Sequence, residues 1–363
     1  MTLDRPLGRL HTLLRRATAR TRFPWRGTAR RRGAVLAVAL TAMAGGCGGR
    51  ETASQPVVGL ITKTETNPFF VKMKEGAQAA AAARGARLLS GAGRNDGDNA
   101  GQVTAMENMI AAGAQVILIT VNDAKAIVPA IQKAREQGIL VIALDSPTDP
   151  VSAVDALFAT DNYEAGQLIG RYAKAALANR PARIATLDLL PGHPVGAQRH
   201  NGFLAGFGLP APDAASTTLG RAPEVVCMAD SYGDQARGQT AMENCLQKNP
   251  DITVVYTINE PTAAGAFKAL QAAGREQETV LVSVDGGCQG VRDVRDGRIA
   301  ATAQQYPLKM AELGVAAGVD FIRDKKKPSG YTNTGVALIA ARAVDGVESR
   351  DVDTGLQLCF GDK

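Results

Sequence analysis

The chain has 363 residues with 41 Lys and Arg against 35 Asp and Glu, a formal charge of +6 that would suit an acidic partner. That excess is local: ten arginines and one acid, Asp4, fall within residues 1–47, and the rest of the chain is slightly acidic. The basic balance therefore does not mark a nucleic-acid binder, and the length suits two domains with substantial cores.

Arg30-Arg-Arg-Gly33 precedes the apolar run Ala34–Ala44, which reads as the n-region and h-region of an export signal. The run is about eleven residues, short of the ~20 that cross a bilayer as a helix. Met43-Ala-Gly-Gly-Cys47 comes next and resembles the lipobox of bacterial lipoproteins, with Ala44 where leucine is usual. Cys47 is thus the expected lipidation site, with simple cleavage as the alternative. Residues 1–47 are assigned to the leader and 48–56 to a linker. Setting Cys47 aside leaves Cys227, Cys245, Cys288 and Cys359. Four cysteines allow three pairings, which sequence does not decide. The favoured set is Cys227–Cys245, closing a strand-to-helix loop, and Cys288–Cys359, pinning the tail, as suits an oxidising compartment.

Beyond the leader, strand and helix alternate every 25–30 residues. Apolar runs at 57–61, 86–89, 116–120, 140–144, 157–160, 183–187, 254–257, 280–284 and 300–303 read as buried strands. Helical stretches lie at 69–83, 102–112, 124–137, 164–178, 235–247, 261–273 and 308–323, several ending in Gly, such as Gly85, Gly113, Gly138 and Gly274. Residues 330–339 read as extended. Wholly apolar strands alternating with helices imply an α/β fold of parallel sheets covered on both faces.

Ligands in such folds bind beyond the carboxyl ends of the strands. The first of these ends carries Asn67-Pro-Phe-Phe70, an amide beside two rings on a strand-to-helix turn. Lys63 just before it could supply a cation to a ligand, though a lysine at the end of a strand more often reads as solvated. Asp145 and Asn259 follow later strands, where each also reads as a helix cap. Gly91-Ala-Gly-Arg-Asn-Asp-Gly97 has the wrong spacing for a dinucleotide loop, and Asp96 and Asp98 lack the remaining calcium-loop ligands. It reads as a plain loop. After the leader the only histidines are His193 and His200, with no nucleophile elbow and no phosphate loop. Neither zinc spacing nor any cofactor motif is present, so no cofactor and no enzyme activity is expected.

Asn67-Pro-Phe-Phe70, Leu144-Asp-Ser146, Ala159-Thr-Asp-Asn162, Thr257-Ile-Asn-Glu260, Ser283-Val-Asp-Gly-Gly287 and Ala301-Thr-Ala-Gln-Gln-Tyr-Pro307 occur in order. Together they resemble the ribose-type periplasmic sugar-binding proteins that serve ABC importers. Gly59-Leu-Ile-Thr-Lys63, Ala241-Met-Glu-Asn-Cys245 and Val284-Asp-Gly-Gly-Cys288 resemble the fructose-binding branch. The resemblance implies a type I periplasmic binding protein fold: two Rossmann-like lobes with parallel sheets, joined by a three-strand hinge and closing on a monosaccharide. It places the N-terminal lobe at 54–160 plus 306–334 and the C-terminal lobe at 161–305 plus 335–363. The crossings fall near 160–161, 304–305 and 333–335. It also implies a monomer delivering its ligand, fructose first among pentoses and hexoses, to a membrane permease.

Residue by residue, the implied ligand set is Asn67, Phe69, Phe70, Asp145, Arg199, Asn259, Asp285 and Gln305, with Tyr232 as the third aromatic. Carboxylates accept from paired sugar hydroxyls, Arg199 donates from a rigid fork, and amides do both. Where the ribose pattern has an arginine after its first aspartate, this chain has Ser146. A sensor presenting sugar to a receptor would use the same pocket. A glycosidase built on Asp145 and Asp285 would turn over a glycoside. A repressor of this fold would carry a helix-turn-helix where the leader stands.

Overall fold

The computed structural model describes residues 55–361, so the leader, Cys47 and most of the linker lie outside the described residues. Two six-stranded sheets form the frame. The first contains β1 (Val57–Thr62), β2 (Arg87–Ala92), β3 (Val116–Ile119), β4 (Leu140–Leu144), β5 (Ala156–Ala159) and β11 (Gly330–Asn333), all parallel, in the order β11-β5-β4-β3-β1-β2. The second contains β6 (Ile184–Asp188), β7 (Val225–Asp230), β8 (Val254–Thr257), β9 (Val280–Asp285), β10 (Ala301–Gln304) and β12 (Ala337–Ala340), in the order β12-β10-β9-β8-β6-β7. Only β12 runs antiparallel there, against β10. The two orders match position for position. The chain changes sheet three times: after β5, after β10 and between β11 and β12.

Alternating strand residues serve opposite faces, and each face has its own core. On the first sheet, Val58, Leu60 and Leu118 pack under α1 (Pro68–Ala83) and α9 (Pro307–Asp324). Ile61, Ile117 and Val141 pack under α2 (Asn99–Ala111) and α3 (Val128–Glu136). On the second, Val254, Tyr256 and Val282 meet α4 (Asn162–Leu177) and α5 (Pro194–Phe207). Leu187, Val255 and Leu281 meet α6 (Gln235–Lys248) and α7 (Glu260–Ala272).

The structure departs from the sequence-based expectations in several places. β7, an edge strand absent from the expected set, is only half-buried although Val225–Ala229 is apolar. The segment 330–339 is two strands in different sheets, broken at Gly335, whose φ of 95° favours glycine. α5 escapes pattern reading because its glycines lower helix propensity and nearly all its faces are buried. Those glycines let two helices touch: a Cβ on Gly202 would strike the Tyr163 carbonyl, and one on Gly206 that of Gln167. Two short helices, α8 (Cys288–Arg295) and α10 (Val352–Leu358), of eight and seven residues, also stand outside the expected stretches. Cys227 on β7 bonds Cys245 on α6, and Cys288 at the start of α8 bonds Cys359 just after α10. No helix among the described residues is long and apolar enough to cross a membrane.

Candidate functional site

An inner cavity lies where the carboxyl ends of both sheets meet. It is lined by Lys63, Asn67, Phe69, Phe70, Asp96 and Asp145 from the first lobe, and by Leu189, Val195, Arg199, Ile258, Asn259, Asp285 and Gln305 from the second. Each polar member of the strand ends has a fixed place: Lys63 follows β1, Asp96 β2, Asp145 β4, Asn259 β8 and Gln305 β10, while Asp285 closes β9.

Asn67 caps α1, its Oδ1 accepting from the Phe69 N–H at 3.0 Å, and Pro68 occupies the first turn, where a missing N–H costs nothing. That cap presents the rings of Phe69 and Phe70, edge to face with centroids 5.3 Å apart. Both are buried and both line the cavity, so core and site readings hold together. Asn259 likewise caps α7 through the Thr262 N–H at 3.0 Å, and its Nδ2 donates to the Gly233 carbonyl at 3.1 Å.

Asp145 is not a cap. Its backbone is left-handed, φ 63°, and Ser146 Oγ donates to its Oδ2 at 2.9 Å. Its buried Oδ1 has no partner among the described residues. Asp285 also has positive φ, 137°. Strained backbone at both pocket aspartates is a mark of sites that the surrounding fold must hold. Glu260 does the holding at β9: its carboxylate accepts from the N–H groups of Gly286 and Gly287 at 2.8 and 2.9 Å and from Thr302 Oγ1 at 2.8 Å.

Arg199 is fixed on three sides. Its Nε donates to Asn162 Oδ1 and its Nη1 to the Ile258 carbonyl, each at 2.8 Å, and Nη1 lies 3.5 Å from Asp285 Oδ1. Gln305 Nε2 donates to the same Asp285 oxygen at 2.9 Å, and Gln305 Oε1 is buried without a partner among the described residues. Burial pushes the Asp285 carboxyl above its ordinary range, against the pull of Arg199, with Asp145 adding to the rise.

Lys63 is not solvated. Only 4% exposed, its Nζ lies 3.2 Å from Nε2 of His193, the residue before α5. The same Nε2 lies 3.5 Å from the Val121 carbonyl, and Nδ1 is buried without a partner among the described residues. Burial, then Lys63, hold the His193 pKa well below the ordinary imidazole value. Asp96, read from sequence as part of a plain loop, reaches the cavity. Burial raises its pKa while Lys63 opposes the rise. Its position after β2 was the available signal. Asp98 is instead the cap of α2, accepting from Gly101 N–H at 3.0 Å and Arg94 Nε at 2.8 Å.

Tyr232 does not join this cavity. It is 39% exposed, with the Arg237 guanidinium 4.3 Å from its ring centroid, and lines a groove outside the cavity. Positive φ at Tyr232, 55°, directs the loop to that surface. The second lobe's apolar wall is aliphatic: Leu189, Val195 and Ile258. His200, within α5, is structural. Its Nδ1 meets Asp188 Oδ1 at 2.9 Å and its Nε2 the Gly220 carbonyl at 3.0 Å.

The cavity thus offers charged and amide groups from both sheets against two aromatic rings, an arrangement for gripping a small, neutral, hydroxyl-rich molecule. Comparisons with known proteins agree with this geometry. The ribose import binding protein RbsB of Bacillus subtilis is 29% identical over 269 residues, covering 74% of this chain and 82% of that protein. RbsB of Escherichia coli is 28% identical over 297 residues, covering 82% and 94%. Among solved structures, the periplasmic component of an ABC-type sugar transport system from Hahella chejuensis matches with a TM-score of 0.70 and 29% identity, over 78% of this chain and 99% of that one. An ABC transporter solute-binding protein from Actinobacillus succinogenes with bound D-allose matches at 0.70 with 25% identity, over 79% and 98%. The model of the periplasmic binding protein domain matches residues 58–326, well over half the sequence, and the chain belongs to that family.

Proposed function

We propose that this protein is an exported solute-binding protein that captures one monosaccharide between its lobes and delivers it to an ABC sugar importer. The observation that carries the reading is the inner cavity's pair of buried acceptors without partners among the described residues, Asp145 Oδ1 and Gln305 Oε1, beside Arg199 and the rings of Phe69 and Phe70. Sugar hydroxyls are the donors those oxygens lack, and sugar C–H faces match the rings. Asn67, Asn259 and Asp285 complete the polar contacts, and Tyr232 stands at the outer groove.

Fructose is the first candidate, on the motif resemblance around Lys63, Asn244 and Asp285; other pentoses and hexoses follow. The lobes are taken as 54–160 plus 306–334 and 161–305 plus 335–363. Because the ligand touches both, it stabilises their closed arrangement through contacts found only there. The leader directs export, Cys47 anchors the chain by lipidation, and the monomer meets the permease at the membrane.

A thermal-shift screen over fructose, ribose, xylose, galactose, glucose and myo-inositol tests the proposal. A ligand at one hundred times its Kd adds about 2.7 kcal/mol of stability, a readily measured rise in Tm. Fructose is expected to give the largest rise. A flat response to all six sugars overturns the reading.

A further inference from the structure

The tail beyond α10 belongs to the second lobe by covalent chemistry. Cys359 is bonded to Cys288, and the Cys288 N–H donates to the Phe360 carbonyl at 2.8 Å. Cys288 opens α8, three residues after Asp285. Yet the Phe360 side chain is not in that lobe's core. It is 3% exposed and packs in the first lobe's apolar cluster with Phe69, Phe70 and Met73. Its ring meets Phe69 edge to face, centroids 5.4 Å apart at 84°. Its other side lies against Gly287, where an added Cβ would stand 3.3 Å from the ring. Gly361 in turn approaches Pro68. Phe69 is thus flanked by Phe70 from its own lobe and Phe360 from the other, and Phe360 itself does not line the inner cavity.

We propose that Phe360 is a lobe-to-lobe positioning residue: anchored to the second lobe by Cys288–Cys359, it buries its ring on Phe69 only when the lobes meet, favouring closure. Separating the lobes would strip water-excluding contacts from both rings, so closure carries apolar burial that the ligand need not provide. A contact of this kind changes the closed fraction, and affinity scales with that fraction. The effect is therefore equal for every ligand. The inference rests on the inner cavity being the sugar site.

The test combines calorimetry with the sugar found by screening and small-angle scattering of the full mature chain. Phe360→Ala is expected to weaken binding roughly tenfold, by one factor for all sugars bound. Its scattering radius should also exceed the wild type's under matched conditions. A chain ending at Cys359, which keeps the disulfide, should behave alike, as should Cys288→Ser with Cys359→Ser. Cys227→Ser with Cys245→Ser, wholly within the second lobe, should not, nor should Leu358→Ala, whose side chain is 45% exposed. Phe360→Leu should recover part of the loss. Wild-type affinity and scattering in Phe360→Ala overturn the proposal, and so does a lowered Tm with unchanged affinity, which marks a merely structural ring. If no sugar binds the wild type, the functional reading falls instead. Ligand-free scattering then still judges Phe360, with identical curves counting against it.

Discussion

The two walls of the cavity are prepared to different degrees. On the second lobe, Arg199, Asp285 and Gln305 already hold one another, braced by Asn162, the Ile258 carbonyl and Glu260's grip on the turn after β9. On the first lobe, Asp145 has one oxygen without a partner among the described residues, and the Lys63 ammonium reaches across to His193. One wall is a braced clamp with a single open acceptor, Gln305 Oε1, and the other has fewer contacts holding its polar groups. Pre-organisation lowers the ordering cost of binding, so the clamp should dominate affinity while the open wall tunes selection.

The strongest way to break that contrast is Arg199→Ala or Asp285→Ala. Each should weaken binding of the captured sugar at least tenfold, roughly 1.4 kcal/mol or more, by calorimetry. Because the two share one network, the double variant should lose much less than the sum. Unchanged affinity in both singles would remove the clamp from the site. Lys63→Met comes next, with an expected loss of about threefold to fivefold and a changed ranking among sugars in the thermal-shift screen, since it alters the open wall. A uniform loss across all sugars would place Lys63 with the clamp. Tyr232→Ala should change affinity by less than about twofold, as suits an exposed ring at the groove. A larger loss would show that the groove closes onto the ligand.

The two histidines sharpen the comparison through pH. For His193 the folded pKa lies below the unfolded value, because of burial and Lys63. The unfolded chain then binds the extra proton first, so native stability falls as pH drops below about 6.5. His193→Gln should flatten that acid slope in melting curves between about pH 7.5 and 5. For His200, burial works downward but the Asp188 carboxylate prevails and the pKa is raised. Its contribution is fully present below the unfolded pKa and is lost as pH rises through the folded one. His200→Gln should therefore remove a slope of opposite sign. Equal slopes in wild type and both variants would show that neither imidazole differs in protonation between the folded and unfolded chain.

Much of this site was legible because parallel sheets put their ligands at one place. A residue directly after an apolar run, as with Asp145, Asn259 and Gln305, is carried to the carboxyl edge whatever the side chains around it. Residues whose role depends on distant neighbours were not legible. Lys63 is buried in the cavity wall beside His193, which precedes α5, and α5 itself is hidden by glycines whose value lies in contact with α4. Tyr232 was misplaced because its loop leaves an edge strand, where left-handed backbone turns the ring outward.

Most strands and helices and the parallel sheets followed from apolar periodicity and turn chemistry, which are local properties of the chain, and the ligand set from the ordered motifs. Which residues distant in the chain meet at the site did not. Asp96 beside Lys63, Arg199 on Asp285 and Phe360 on Phe69 join positions far apart in the chain. The first two pairings depend on packing within a lobe and the third on how the lobes meet, and no short-range pattern in the sequence records either.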